Sequence, residues 1–240
     1  EETIKNYTDV FHQHSGKKSL VPHAPYSVSR PLFDYVNTVN SEEVTISIHN
    51  QEVAAENEMF LWGSGAFFNF FKQIGMPLKN FESTGKTALH YLTENLESTR
   101  RTLFVHNTMS SSEDIKAALA WSKQVFWATC ANANLYIENR LPDYQAFLDH
   151  NAKMTIGTDS LSSNWQLCIW EEVKTIKKYN DYISLEELLT WATINGAQAL
   201  GFDDVFGSFE RGKSPGIVHI NCLPSSSHED FFSSRSRRLE

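Results

Sequence analysis

Cysteine is scarce and scattered. Cys130, Cys168 and Cys222 stand far apart with no Cys-x-x-Cys spacing, which argues against a disulfide framework or a zinc knuckle and predicts reduced thiols and a cytoplasmic setting. Long apolar runs are absent too, and none approaches the roughly 20 residues needed to span a bilayer. Positive charge is outweighed: 21 Lys and Arg against 29 Asp and Glu give a net charge of −8. No global positive field is therefore expected to recruit nucleic acid or an anionic membrane surface. Arg235, Arg237 and Arg238 are confined to the end of the chain. The opening residues Glu1-Glu2-Thr3-Ile4 are not a basic stretch leading into an apolar one, so no signal peptide is read there, and the Asn6-Tyr7-Thr8 sequon lacks a secretory context. The chain begins without methionine, and further residues upstream are expected.

What is present is enough for a substantial core: 240 residues, 41% of them hydrophobic, most often one or two domains. The central stretch is Val44-Thr-Ile-Ser-Ile-His49-Asn-Gln-Glu52, a β-branched alternating run that ends in a histidine with a carboxylate three residues on. A strand stopping there delivers an imidazole and an acid to one rim of a sheet, a pairing suited to a metal ligand beside a proton donor.

Ahead of it, His12 and His14 read as a helix-end or loop pair, and Leu20-Val21 as a short strand stopped by Pro22 and Pro25. His23, held between those prolines, reads equally as a substrate contact or a structural turn residue. Ser29 is placed to cap a helix with Pro31 in its first turn. Residues 57–75, with Phe60, Trp62, Phe67, Phe68, Phe70 and Phe71, predict a loop and short helix, either a lid over a pocket or a packing face. Ser83-Thr-Gly85-Lys86-Thr87 lacks the upstream glycine of a phosphate loop, having Asn80 instead, and reads as a cap for a helix over 88–97.

A second strand, 101–106, ends at His106, and Ser110–Asp114 opens a helix over 115–122. A third strand, 125–130, leads to Asn132 and Asn134, and a helix follows over 143–150. A fourth, 153–160, ends in Gly157-Thr-Asp159. Helices are predicted at 167–179 and 185–200, the latter with Ser184 and Glu187 as a capping box. One more strand falls at 217–220, and the polar segment beyond it is expected to be disordered. Strand-helix alternation with a polar residue ending each strand predicts α/β architecture built on a parallel sheet. Chemistry-capable residues at every strand end (His23, His49, His106, Asn134, Asp159) favour a (β/α)8 barrel over a doubly wound sheet.

The residues Pro22-His23-Ala-Pro-Tyr26, Ile48-His49-Asn-Gln-Glu52, Val105-His106-Asn-Thr, Gly157-Thr-Asp159-Ser-Leu-Ser-Ser-Asn164, Ala192-Thr-Ile-Asn195-Gly-Ala197 and Gly207-Ser-Phe-Glu-Arg-Gly-Lys213 together resemble the amidohydrolase superfamily. The resemblance is nearest its deaminase and triazine chlorohydrolase branch and covers about residues 20–221. It implies His49 and Asp159 as metal ligands, Glu52 as the proton shuttle, and Asp159 also as acceptor of the water's proton. His106 would orient the attacking hydroxide, and His23 and Asn134 would contact substrate. No lysine stands where the binuclear branch needs one, so a single divalent ion is expected, zinc first and iron second.

The family's first-strand His-x-His has no counterpart here, and the match begins at the fourth strand. The resemblance therefore implies only about the last five β/α units of the barrel. It divides the chain into a lead-in segment (1–18), the partial barrel (19–200), a return to a small β-sandwich (201–222) and a polar tail (223–240). Cys130-Ala131-Asn132-Ala133-Asn134 departs from the family's usual pattern, as does Ser214-Pro215-Gly216. The expected activity is metal-dependent hydrolysis of a C–N bond, the deamination of a small-molecule heterocycle. Two alternatives stand beside it: a chlorohydrolase, and a non-catalytic half-barrel that oligomerises and holds metal incompletely or not at all. A homo-oligomer is expected in either case.

Overall fold

Period-2 and 3.6-residue apolar patterns alternate along the chain, and the computed structural model resolves them into strands and helices over residues 2–78, 81–222 and 228–239. Asn80, where the phosphate-loop pattern fails, lies outside the described residues. In chain order the elements are α1 (Glu2–Gln13), a 3₁₀ turn at Pro25–Ser27, α2 (Arg30–Val39), β1 (Thr45–Asn50), α3 (Ala54–Trp62), α4 (Ala66–Gln73), α5 (Ala88–Asn95) and β2 (Arg101–His106). There follow α6 (Ser112–Trp121), β3 (Val125–Thr129), α7 (Ala131–Glu138), α8 (Tyr144–Asp149), β4 (Met154–Ile156), α9 (Ile169–Tyr179) and α10 (Leu185–Thr190). A π-helical turn at Trp191–Asn195, α11 (Gly196–Leu200), β5 (Ile217–Ile220), α12 (His228–Ser233) and β6 (Ser236–Leu239) complete the series. Among the described residues no helix is long and apolar enough to cross a membrane.

The chain divides into two compact units, Glu1–Ala128 with Arg140–Lys153, and Thr129–Asn139 with Met154–Glu240. In the first, β1, β2 and β3 pair in parallel in that order. Ile46, Ile48, Phe104 and Trp127 from the three strands are almost wholly buried, each worth about 1.5–3 kcal/mol relative to exposure. Phe104 and Trp127 meet with ring centroids 5.2 Å apart. Helix α6 is held by Ser111, whose hydroxyl accepts from the Asp114 amide while Asp114 reaches back to the Ser111 amide, the reciprocal cap that satisfies two otherwise unpaired donors.

The second unit holds β4, whose extension is fixed by the Gly157 amide donating to the Thr129 carbonyl at 2.9 Å. It also holds α7, α9 to α11, and the antiparallel pair β5–β6. Residues 228–239, expected as disordered tail, form α12 and β6 instead. They are fastened because Trp170 Nε1 donates to Ser234 Oγ at 2.9 Å and Lys174 Nζ donates to the Ser234 carbonyl at 3.1 Å. Those anchors lie some 60 residues away in sequence and leave no local signature.

Other expectations change in detail. Leu20-Val21 is not a strand: Pro22 offers no N–H, and this segment meets β1 through the His49 amide donating to the His23 carbonyl at 3.0 Å. Ser29 stands at the α2 N-cap but its side chain makes no capping bond. Residues 57–75 form two helices, broken at Gly63 (φ 63°) and Gly65 (φ 103°). Thr87, not Ser83 or Thr84, takes the N-cap position of α5, and its hydroxyl bonds Asp114. The Thr84 hydroxyl goes to the Phe60 and Lys86 carbonyls. Glu187 does not close the Ser184 box; its carboxylate accepts from Trp191 Nε1 at 2.6 Å. Helix α7 was not expected, since its Ala-Asn-Ala-Asn opening has no cap or apolar stripe.

Candidate active site

The ends of β1 and β2 build the site. Their register pairs His49 with Val105 and Asn50 with His106. Side chains alternate along a strand, so a regular β2 would send His106 to the face opposite His49. It does not stay regular. His106 has φ 73° and Asn107 φ 59°, left-handed values that non-glycine residues seldom adopt, and the His106 ring swings onto the His49 side. His106 Nε2 lies 2.9 Å from His49 Nδ1. Asn107 makes the turn tenable: its side-chain amide donates to the Phe104 and Ala128 carbonyls at 2.9 and 3.2 Å.

Glu52 closes the group. Its carboxylate oxygens stand 3.7 Å from His49 Nδ1 and 3.4 Å from His106 Nε2. His106 is completely buried, whereas the side chains of His49 and Glu52 keep 26% and 13% of their exposure, so the cluster reaches solvent through those two. The three donor atoms all lie within 4.8 Å of one another. Two imidazole nitrogens and a carboxylate are the donor types that zinc and its neighbours take, so the residues present fit a divalent ion. His23 joins at the edge, with its ring centroid 4.6 Å from that of His49.

A buried carboxylate, Glu56, lies behind Glu52 in the first turn of α3. It accepts the Gln51 amide at 2.7 Å and the Glu52 amide at 3.3 Å. Burial pushes its carboxyl up to about 8; the two amides pull it back and the Glu52 charge raises it again. Tyr26 is pushed up to about 12 by burial, then by the charges of Glu56 and Glu52. Tyr26 stacks on Phe67 with centroids 4.2 Å apart and lines a cavity of about 830 Å³ with Arg30, Met59, Phe71, Phe81 and Tyr91.

Asp159 and Asn134 belong to the second unit. Asp159 follows β4 with φ 56° and accepts the Ser163 hydroxyl. Asn134 is fully buried in the first turn of α7. The same unit holds Glu172, fully buried. It accepts the Asn132 amide at 3.0 Å, the Asn132 side chain at 2.8 Å and the Asn164 side chain at 2.7 Å. Asn164 also donates to the Thr158 carbonyl at 2.8 Å. The structure thus gathers His23, His49, Glu52 and His106. Sequence reasoning passed over Gln51, Glu56 and Glu172, because a polar residue in a helix or beside a motif looks the same whether it is solvated or buried.

The family model for the amidohydrolase family matches residues 79–237, and the chain belongs to that family. The matched span includes His106, Asn134 and Asp159, while His23, His49 and Glu52 precede it. An adenosine deaminase of Helicobacter pylori is 28% identical over 201 residues, covering 82% of this chain and 48% of that protein. A 5-methylthioadenosine/S-adenosylhomocysteine deaminase of Saccharophagus degradans is 27% identical over 208 residues, covering 83% and 42%. The crystal structure of Helicobacter pylori aminofutalosine deaminase superposes with a TM-score of 0.72 at 25% identity, covering 87% of this chain and 53% of that one. The chain spans about half the length of the curated relatives it matches.

Proposed function

We propose that this chain supplies strand-end residues to the active site of a metal-dependent hydrolase that deaminates an amino-substituted heterocycle of the purine-nucleoside class. The observation that carries the reading is the Glu52 carboxylate set against both His49 and His106 in a chain of the amidohydrolase family. The deaminase relatives support the C–N bond as target. In this reading β1 to β4 are the fifth to eighth strands of a (β/α)8 barrel, and the non-strand segment ending at His23 stands where the fourth would end.

His49 and Asp159 would hold the metal. When bound, a divalent ion lowers the pKa of water to about 7 and so makes a nucleophile available at neutral pH. Asp159 accepts the proton of the attacking water, and His106, buried and fixed by its turn, orients that water through Nε2. Glu52 carries one of the water's two protons to the substrate's ring nitrogen, a task for an acid within hydrogen-bond reach of the reacting atoms, and the proton that Asp159 accepts leaves with the amine as ammonia. His23 and Asn134 contact the substrate. The aromatic cavity beside Tyr26 offers stacking faces to a purine and volume for its sugar.

The test is Glu52→Gln in the full-length protein, assayed on aminated purine nucleosides with metal content measured alongside. A fall in kcat of about 10²–10⁴-fold at unchanged metal content is expected. Retained turnover removes Glu52 from the mechanism, and wild-type turnover confined to halogenated rings replaces the deaminase reading with a chlorohydrolase.

A further inference from the structure

Between His49 and Glu52 lies Gln51, a residue that the proposed chemistry does not use and that the structure treats unlike its neighbours. It is completely buried. Its φ is 49°, a conformation costing a non-glycine residue roughly 1–3 kcal/mol unless its surroundings impose it. Its main-chain and side-chain polar groups are all engaged. The main-chain amide donates to Glu56 Oε1 at 2.7 Å, and the carbonyl accepts from the Met109 amide at 2.9 Å. The side-chain Oε1 accepts from Ser110 Oγ at 2.6 Å and Asn50 Nδ2 at 3.3 Å. Nε2 donates to Asn57 Oδ1 at 3.2 Å and Asp114 Oδ2 at 3.1 Å.

Apart from the neighbouring Asn50, these partners fall into two sets. Glu56 and Asn57 belong to α3, just beyond Glu52. Met109, Ser110 and Asp114 follow β2, just beyond His106. Gln51 therefore bonds the turn that carries Glu52 to the turn that carries His106. Asp114 is itself held by the Ser111 amide at 2.9 Å and by the Thr87 hydroxyl, so the far end of the tether does not move freely. A flipped or displaced Gln51 amide would leave several buried groups unpaired, at about 1–3 kcal/mol for each. The amide is locked, and it locks the separation of the two turns.

We propose that Gln51 is a positioning residue: its buried amide, bonded to the turns after both strands, fixes the Glu52 carboxylate against His106. Its kinetic consequence rests on the function proposed above; its geometric consequence does not. Proton transfer in the proposed reaction needs Glu52 at hydrogen-bonding distance, and a displacement of an ångström at such a site can cost about a hundredfold in rate.

The experiment uses Gln51→Met in the full-length protein, which keeps the side-chain volume and removes all four side-chain hydrogen bonds, with Ser110→Ala as a milder variant losing one. Two readouts are taken. In a crystal structure of Q51M, Glu52 is expected to leave hydrogen-bonding distance of His106. In kinetics, kcat is expected to fall about 10–100-fold with KM within about twofold and metal content unchanged, and S110A to show the same split in smaller measure. An unmoved Glu52 overturns the proposal, as does an unchanged kcat in folded Q51M. Should Q51M not fold, the same two readouts on S110A decide. Should the wild-type protein deaminate nothing, the function falls, and the position of Glu52 in the variant still decides the role of Gln51.

Discussion

His106 Nε2 and His49 Nδ1 stand 2.9 Å apart, so one ring donates to the other and at most one of the two nitrogens carries the proton. Two nitrogens bound to the same tetrahedral zinc at about 2.0–2.1 Å would be separated by about 3.4 Å. The shorter separation is that of hydrogen-bonded neighbours, and it is compatible with the division of labour proposed above, His49 as ligand and His106 as orienting group.

That division gives the first prediction. His49→Ala in the full-length protein should lower zinc affinity at least tenfold. His106→Ala should keep the metal and lose turnover. Equilibrium dialysis with metal analysis distinguishes them; metal loss in H106A with retention in H49A would reverse the assignment.

Glu56 predicts a pH dependence of stability. Its carboxyl titrates at about 8 in the folded protein against 4.5 for an ordinary glutamate, so between those values the folded state binds more protons than the unfolded one. This contribution is full below about 4.5 and is lost as pH rises through about 8. Glu56→Gln removes the loss. In urea melts across pH 5 to 9, the wild type should weaken relative to E56Q by an amount on the order of a few kcal/mol. Parallel curves would show that Glu56 titrates normally.

Glu172 predicts a stability effect in the second unit. The Asn132 amide, the Asn132 side chain and the Asn164 side chain donate to it, and Glu172→Leu takes the acceptor from both Asn132 donors and one of two acceptors from Asn164. A loss of about 3–5 kcal/mol is expected, with Glu172→Gln costing less because one acceptor oxygen remains. Chemical denaturation followed by fluorescence reads both variants, and near-equal stability of E172L and wild type would contradict the network.

Much of this molecule is local information. The Val44–Ile48 run alternates and is β-branched, so it forms a strand wherever one face can be buried, and the structure carries that strand one residue past His49, to Asn50. The strands expected at 101–106 and 125–130 form as well, the second one residue shorter, and the segment Ser110–Asp114 opens a helix, which starts at Ser112 where 115 was expected. The Gly-Thr-Asp turn at 157–159 could be placed but not measured: only Met154–Ile156 became strand.

Local pattern is silent where partners lie far apart in the chain. Whether residues 228–239 are a tail or a helix and strand depended on Trp170 and Lys174. Whether Thr84 caps a helix depended on what else its hydroxyl could reach, here the Phe60 and Lys86 carbonyls.

The sequence by itself therefore determined the alternation of strands and helices and which residues end the strands, because side-chain periodicity and backbone preference act within a few residues. Tertiary structure alone decided which of those end residues meet. Strand register would have turned His106 away from His49, and a left-handed turn braced by Asn107 brought it back. Glu56 became a buried acid and Gln51 a tether only because α3 and the turn after β2 close over them, a matter of non-local contacts.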